Sequence, residues 1–254
     1  MLRTRVIPCL LLEDEGLVKS INFKKPTYIG DPINSVRIYN ELEVDELIFL
    51  DIKASINSTP PPFKKLEMIA SECFMPFSYG GGIRTLDDVK KLFDLGVEKV
   101  VLNTIACENL YFITQIADIY GSQSVIISID VKKPLFGQNR VYIKDGTKKS
   151  QYTPIEYVKI VENYGAGEIM LNSIDKEGLM DGFDLALIDK ISDAIDIPLI
   201  ATGGAGELLD IKKAKDAGAS AIALGSMAVY QNKNRGILIN FPTQKELTTI
   251  LNED

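Results

Sequence analysis

A 254-residue chain with no histidine must leave proton transfer to carboxylates, lysine, tyrosine or cysteine. Two aspartates stand at the ends of short apolar runs: Asp130 in SVIISIDV (124–131) and Asp51 in ELIFLDI (46–52). A carboxylate in that position projects from the end of a buried strand, where it can act on a ligand. Asp130 is read as the general acid/base, with a hydrogen-bonded structural aspartate as the alternative, and Asp51 is the second candidate. Two glycine-rich turns, GGGI (80–83) and GGAG (203–206), each follow an apolar run and open a helical pattern. Such turns let backbone N–H groups approach an anion at the positive end of a helix, or simply permit a tight turn. The turns after NT (103–104) and GS (225–226) would complete two phosphate pockets. Lys19, in the long stretch 13–30, either reaches the same ligand from a mobile loop or is a solvated surface lysine. Arg5, Glu46, Lys99 and Glu168 open four different apolar runs, where charges ordinarily form a solvated rim.

The elements that must position these residues follow from periodicity. The runs 5–12, 46–52, 76–80, 99–103, 124–131, 168–172, 198–202 and 221–225 are short and rich in β-branched residues. Amphipathic patterns lie between them, among them DPINSVRIYNEL, PFKKLEMIASEC, TLDDVKKLFDLG, PIEYVKIVENYG and ELLDIKKAKDAG. Asp31 with Pro32, and Thr85 with Asp88, are helix-start signals, while Gly96, Gly165 and Gly218 are stops. The length allows one large α/β domain or two small ones. Eight strands alternating with helices, without a linker, predict a single (β/α)8 TIM barrel over residues 1–254, with a doubly wound sheet as the alternative.

An internal repeat supports two half-barrels. Residues 81–106 match 203–228 without gaps, and the same offset sets Glu46 opposite Glu168. A register three residues shorter aligns VIPCLLL (6–12) with VIISIDV (125–131) and sets Leu11 opposite Asp130. The second half thus carries a carboxylate at the end of its first strand, where the first half has leucine. Paired glycine turns across one barrel face suit a ligand with a phosphate at each end.

The net charge of −7, with no block of Lys or Arg, argues against nucleic acid or an anionic membrane surface as partner. Cys9, Cys73 and Cys107 form no CxxC pair and read as buried free thiols of a reducing, cytoplasmic compartment. No metal site or cofactor is indicated. The run after MLRTR is too short for a signal peptide, and nothing approaches the ~18 apolar residues of a membrane span.

At these residues the chain resembles the cyclase subunit of imidazole glycerol phosphate synthase, the HisF family. The resemblance covers residues 1 to about 230 and is carried by RxIPCL, FLDIxAS, GGGI, LNTIA, YGSQS, the ID of 129–130, GAGEI, SIDxxG (173–178) and GGAG. It implies a HisH-like glutaminase docked on the barrel bottom in a heterodimer. Ammonia from that glutaminase would pass a ring of four charges, matched by Arg5, Glu46, Lys99 and Glu168, and cross the barrel interior. Glu98 matches an acidic docking residue, and the phosphate contacts fall on Gly82, Asn103, Thr104, Gly204 and Ser226.

The chain also departs from the family. Of its two acid/base aspartates, Asp130 matches one and Leu11 replaces the other; Glu13 and Asp14 lie about 7–10 Å further along an extended strand. In DKEGLMDG (175–182), Leu179 and Met180 stand where the family has a hydroxyl and a cation, and the tail after YQNKNRGILINFP differs too. This combination resembles a paralogue of bacterial surface-glycan clusters, which implies ammonia delivery to a separate ATP-dependent amidotransferase. An authentic cyclase of histidine biosynthesis is the competing expectation, and a barrel binding some other phosphorylated molecule is a third.

Overall fold

The computed structural model describes residues 3–134, 137–233 and 235–251; the expected domain 1–254 and the divergent tail extend in part outside the described residues. Eight strands form the wall: β1 (Arg5–Glu13), β2 (Leu47–Asp51), β3 (Phe77–Gly80), β4 (Lys99–Leu102), β5 (Val125–Lys132), β6 (Glu168–Ser173), β7 (Leu199–Thr202) and β8 (Ala221–Leu224). They are the eight runs read from the sequence. Each pairs in parallel with the next, and β8 returns to β1 with Arg5 opposite Ala221. A doubly wound sheet would leave two open edges, so this closure rules it out. The chain folds as a (β/α)8 barrel.

The helices lie outside. The five patterns singled out in the sequence form Pro32–Glu41, Phe63–Glu72, Leu86–Asp94, Pro154–Asn163 and Leu208–Asp216. Their ends obey the local signals. Asp31 accepts from the Asn34 N–H at 2.9 Å, and Thr85 and Asp88 satisfy each other's backbone N–H groups. Gly96, Gly165 and Gly218 have φ of 95°, 100° and 99° just past their helices.

Alternation along the strands creates two apolar layers. Val6, Leu10, Leu12, Leu47, Phe49 and Val100 belong to the large core between wall and helices. Ile7, Cys9, Leu11, Ile48, Val101, Ile126, Met170, Ile200, Ala221 and Ala223 fill the barrel interior instead. Parity then fixes the ends of the lumen. Arg5, Glu46, Lys99 and Glu168 each lie two residues before an interior residue, at the N-terminal end. Leu11 and Asp130 are the last interior positions of β1 and β5.

Two extensions were not foreseen. The stretch after β1, read as a mobile loop carrying Lys19, is an antiparallel hairpin, Gly16–Ile21 with Lys24–Gly30. A shorter hairpin, Arg140–Ile143 with Lys148–Lys149, follows β5. Expected buried, Cys73 and Cys107 are only half-buried; Cys9 is buried in the lumen.

Candidate functional site at the two ends of the barrel

At the N-terminal end the four charged residues meet. Arg5 donates to Glu46 at 2.9 Å and to Glu168 at 2.8 Å, and Lys99 donates to Glu168 while lying 4.0 Å from Glu46. Burial works against the Arg5 charge, but hydrogen bonds and attraction from Glu168 and Glu46 hold its pKa above the ordinary value. Glu168 is 7% exposed, so these are not the solvated rim that charges at strand starts usually form. The arrangement is a closed ring of two cations and two anions across the lumen. Glu98 precedes Lys99 and is exposed on the same end.

The C-terminal end opens into a cavity whose walls include Leu11, Lys19, Asp51, Gly82, Asn103 and Asp130. Asp130 is 8% exposed; its carboxylate accepts from Asn103 at 3.1 Å and from Asn172 at 3.4 Å. Burial pushes its pKa up to about 7, against the pull of the Asn172 and Asn103 hydrogen bonds and with help from the nearby Asp145 and Glu177 charges. A carboxyl that changes protonation near neutral pH is suited to general acid/base work. Leu11 faces the same space and packs in the interior cluster with Val18 of the hairpin. Glu13 points instead to Lys53, 3.8 Å away, and supplies no direct substitute for an acid at position 11. Asp51 accepts the Lys53 and Ala54 N–H groups at 3.0 and 2.9 Å, opening the short helix Ala54–Asn57. That local turn accounts for its position at the strand end.

Lys19 is neither mobile nor solvated. It is 2% exposed on the hairpin strand, and its Nζ donates to the Cys9 carbonyl at 2.9 Å. The glycine turns flank the cavity. Gly82 has φ of 71° and Gly204 of 124°; a Cβ at either would meet a backbone oxygen at 2.5 Å (Thr59) or 2.3 Å (Gly182). Both the strained backbone and the close approach therefore require glycine. Gly203, Gly204, Met180 and Ser226 line a second, much smaller cavity, in which the Ser226 hydroxyl is buried without a hydrogen-bond partner. Leu179 is half-buried and Met180 buried.

Sequence reasoning missed Asp145, Lys53 and Glu177. Asp145 forms an ion pair with Lys53 at 3.3 Å on the cavity wall. Burial raises its pKa, against the attraction of Lys53. Glu177 is 7% exposed, and burial raises its pKa, with Lys19 opposing. The DG turn between VYI and KK was the available signal for the Asp145 hairpin. Glu177 lay within the segment already singled out at 175–182.

Residues 5–235 match the family model described as "Histidine biosynthesis protein". The chain belongs to the HisF family. A Pseudomonas aeruginosa protein named "Putative imidazole glycerol phosphate synthase subunit hisF2" is 49% identical over 248 residues, covering 97% of this chain and 99% of its own. The Vibrio vulnificus protein "Putative imidazole glycerol phosphate synthase subunit hisF3" is 46% identical over 251 residues, covering 97% and 95%. Streptococcus sanguinis "Imidazole glycerol phosphate synthase subunit HisF" is 40% identical over 206 residues, covering 81% and 82%. This HisF-family barrel is thus an imidazole glycerol phosphate synthase-like subunit. Among its described residues no helix is long and apolar enough to cross a membrane, and no group of His, Cys, Asp and Glu is placed to hold a metal ion.

Proposed function

We propose that this barrel is the ammonia-conducting synthase subunit of a glutamine-dependent amidotransferase system, with little cyclase activity of its own. A HisH-like glutaminase docks on the N-terminal end near Glu98 and releases ammonia at the Arg5, Glu46, Lys99 and Glu168 ring. The ammonia crosses an interior lined by Ile7, Ile48, Val101, Met170 and Ala223, and leaves by the mouth. There a separate ATP-dependent amidotransferase incorporates it, on a surface-glycan sugar. The choice of acceptor rests on the likeness to the paralogue that also lacks the first-strand aspartate.

One observation carries the reading: the charged ring is complete and internally paired, while the acid/base position on β1 is an apolar side chain packed into the interior. Buried charges are costly unless paired, so a gate is a good reason for four of them at one end of a lumen. Co-expression with a glutaminase encoded beside it should give a 1:1 complex with accelerated glutamine hydrolysis. No complex and no acceleration would defeat the docking. The amidotransferase should use glutamine only when both other chains are present, yet accept ammonium salts without them.

A second reading, a working cyclase, is favoured by Asp130, whose pKa near 7 and hydrogen bonds suit proton transfer. The purified chain with ammonia and the bisphosphorylated histidine intermediate decides between them. Robust cyclisation, lost in Asp130→Asn, would establish the second reading.

A further inference from the structure

On the floor of the mouth, hydrogen-bond acceptors outnumber the donors that could satisfy them. The register places Asp130, Asn172 and Thr202 side by side on β5, β6 and β7, and Ser128 lies two residues before Asp130 on the same inward side. All four line the cavity, and so does Glu177. Asn172 donates through Nδ2 to Asp130 at 3.4 Å, which leaves its Oδ1 buried and without a partner. A Cβ built on Gly203 would come 2.4 Å from that Oδ1 and 3.3 Å from Glu177 Oε2, so the two oxygens turn toward one point. The Ser128 hydroxyl, the Thr202 hydroxyl and the Glu177 carboxylate belong to residues only 8%, 7% and 7% exposed, and none has a hydrogen bond among the described residues. Burying acceptors without donors is costly, most of all for a carboxylate.

The charge on the wall points the same way. Its charged side chains are Asp51, Asp130, Asp145 and Glu177 against Lys19 alone. Lys53, paired with Asp145 at 3.3 Å, still leaves the acids in excess. The Lys19 ammonium directs a hydrogen bond to the Cys9 carbonyl at 2.9 Å rather than to any of these acids. An anion on this floor would meet more like charge than unlike. A small cation rich in N–H donors would supply both the charge and the donors that the floor lacks. Beneath it lie Met170 and Ile200, whose apolar side chains give a spherical alkali ion nothing to coordinate.

We propose that the floor of the mouth is an ammonium site. One ammonium ion donates to the Asp130 carboxylate, Asn172 Oδ1 and the Ser128 and Thr202 hydroxyls, with Glu177 as a second negative charge beside it. The site rests on the ammonia-conduit reading for its supply of ligand and goes beyond it by giving the conduit a holding point at its end. Ammonia arriving at protonated Asp130 takes the carboxyl proton, so that an N–H bond forms as the O–H bond breaks. Return of the proton to Asp130 frees neutral ammonia for the acceptor, and the two steps together neither gain nor lose a proton.

Urea unfolding of the purified chain, without any glutaminase, tests the site in ammonium, potassium and sodium chloride at equal ionic strength. At pH 8, above the value of about 7 at which Asp130 gives up its proton, the carboxylate is available to a cation. A ligand that binds only the folded chain raises the unfolding midpoint saturably. Ammonium should do so with half-saturation at about 10 mM, and potassium should bind roughly tenfold more weakly or worse. Ser128→Ala and Thr202→Val should each weaken ammonium about tenfold, the value of one hydrogen bond to a charged group. Asp130→Asn should abolish the response while the chain still folds. Equal midpoints in all three salts, a potassium response equal to that of ammonium, or an unchanged half-saturation in both hydroxyl variants would each overturn the proposal. Glutamine-dependent transfer in a reconstituted complex whose barrel ignores ammonium would overturn the site and leave the conduit standing. Saturable ammonium binding by a chain that forms no glutaminase complex would uphold the site and defeat the conduit.

Discussion

The two ends of this barrel treat charge in opposite ways. At the N-terminal end, Arg5, Glu46, Lys99 and Glu168 satisfy one another across the lumen, and two cations balance two anions. At the C-terminal end, Asp130, Asp145 and Glu177 gather around a cavity with Lys19 and Lys53, and burial raises the pKa of all three acids. A self-paired ring is suited to passing a small neutral molecule, since it neither attracts nor needs a counterion. Acids whose charged forms are disfavoured by burial are suited to exchanging protons or meeting a ligand. The difference is one of completeness: the ring has every partner it requires, and the mouth has an apolar side chain at Leu11 where a second acid would serve it.

The largest effect expected from this contrast is catalytic. Without a carboxylate at position 11, cyclisation should run about 10²–10⁴-fold below that of an authentic cyclase assayed alongside. Leu11→Asp alone should restore little. Adding Leu179→Thr and Met180→Lys should restore more than the separate gains combined, because positioning and proton transfer act together. Full activity in the unaltered chain would erase the contrast between the ends.

Next comes the proton equilibrium at the mouth. The folded chain holds the Asp130 proton to about pH 7, whereas the unfolded chain releases it near the ordinary aspartate value of 3.8. Between those values the unfolded state binds fewer protons, so stability falls as pH rises across the window. Asp130→Asn should therefore be close to neutral at pH 4 and stabilising at pH 8, by up to roughly 4 kcal/mol if the amide keeps its neighbours satisfied. Urea titrations at the two pH values check this. A pH-independent difference would mean that Asp130 is ionised in the folded chain.

The ring should respond in the other direction. Arg5→Met leaves Glu46 and Glu168 facing each other with Lys99 as the remaining cation of the four. Breaking a buried pair costs about 3–5 kcal/mol; because the Arg5 side chain is 26% exposed, water screening should bring this to about 2–3 kcal/mol. Glutamine-dependent activity of a reconstituted complex should fall while ammonium-dependent activity survives. Equal loss of both would show damage to the barrel rather than to a gate.

The smallest effect is a control remote from either cluster. Thr85→Ala removes one half of a reciprocal cap and should cost about 1 kcal/mol, read as a shifted urea midpoint with ligand binding and complex formation unchanged.

How far these features could be foreseen depended on the range of the interactions behind them. The eight strands, the five singled-out helices and their caps depend on alternation and on contacts within a few residues, and they lay open in the amino-acid order. That Arg5, Glu46, Lys99 and Glu168 open four strands at one end was legible too, but the residues alone left a solvated rim open, and only the family resemblance implied a ring. Asp130 was visible as an acid in an apolar run, and Leu11 as its apolar counterpart. Only the closed barrel decided the rest. Lys19 looked like a loop residue until the hairpin folded back along β1 and buried its Nζ against the Cys9 carbonyl. Asp145 and Lys53 are far apart in the chain and meet because the second hairpin rests on Thr104. The unpaired Ser226 hydroxyl and the raised pKa of Asp130 follow from desolvation, which no single strand possesses. Local pattern determined which residues could do chemistry; long-range closure, by removing water and bringing distant charges together, determined in what state and against which partners they are held.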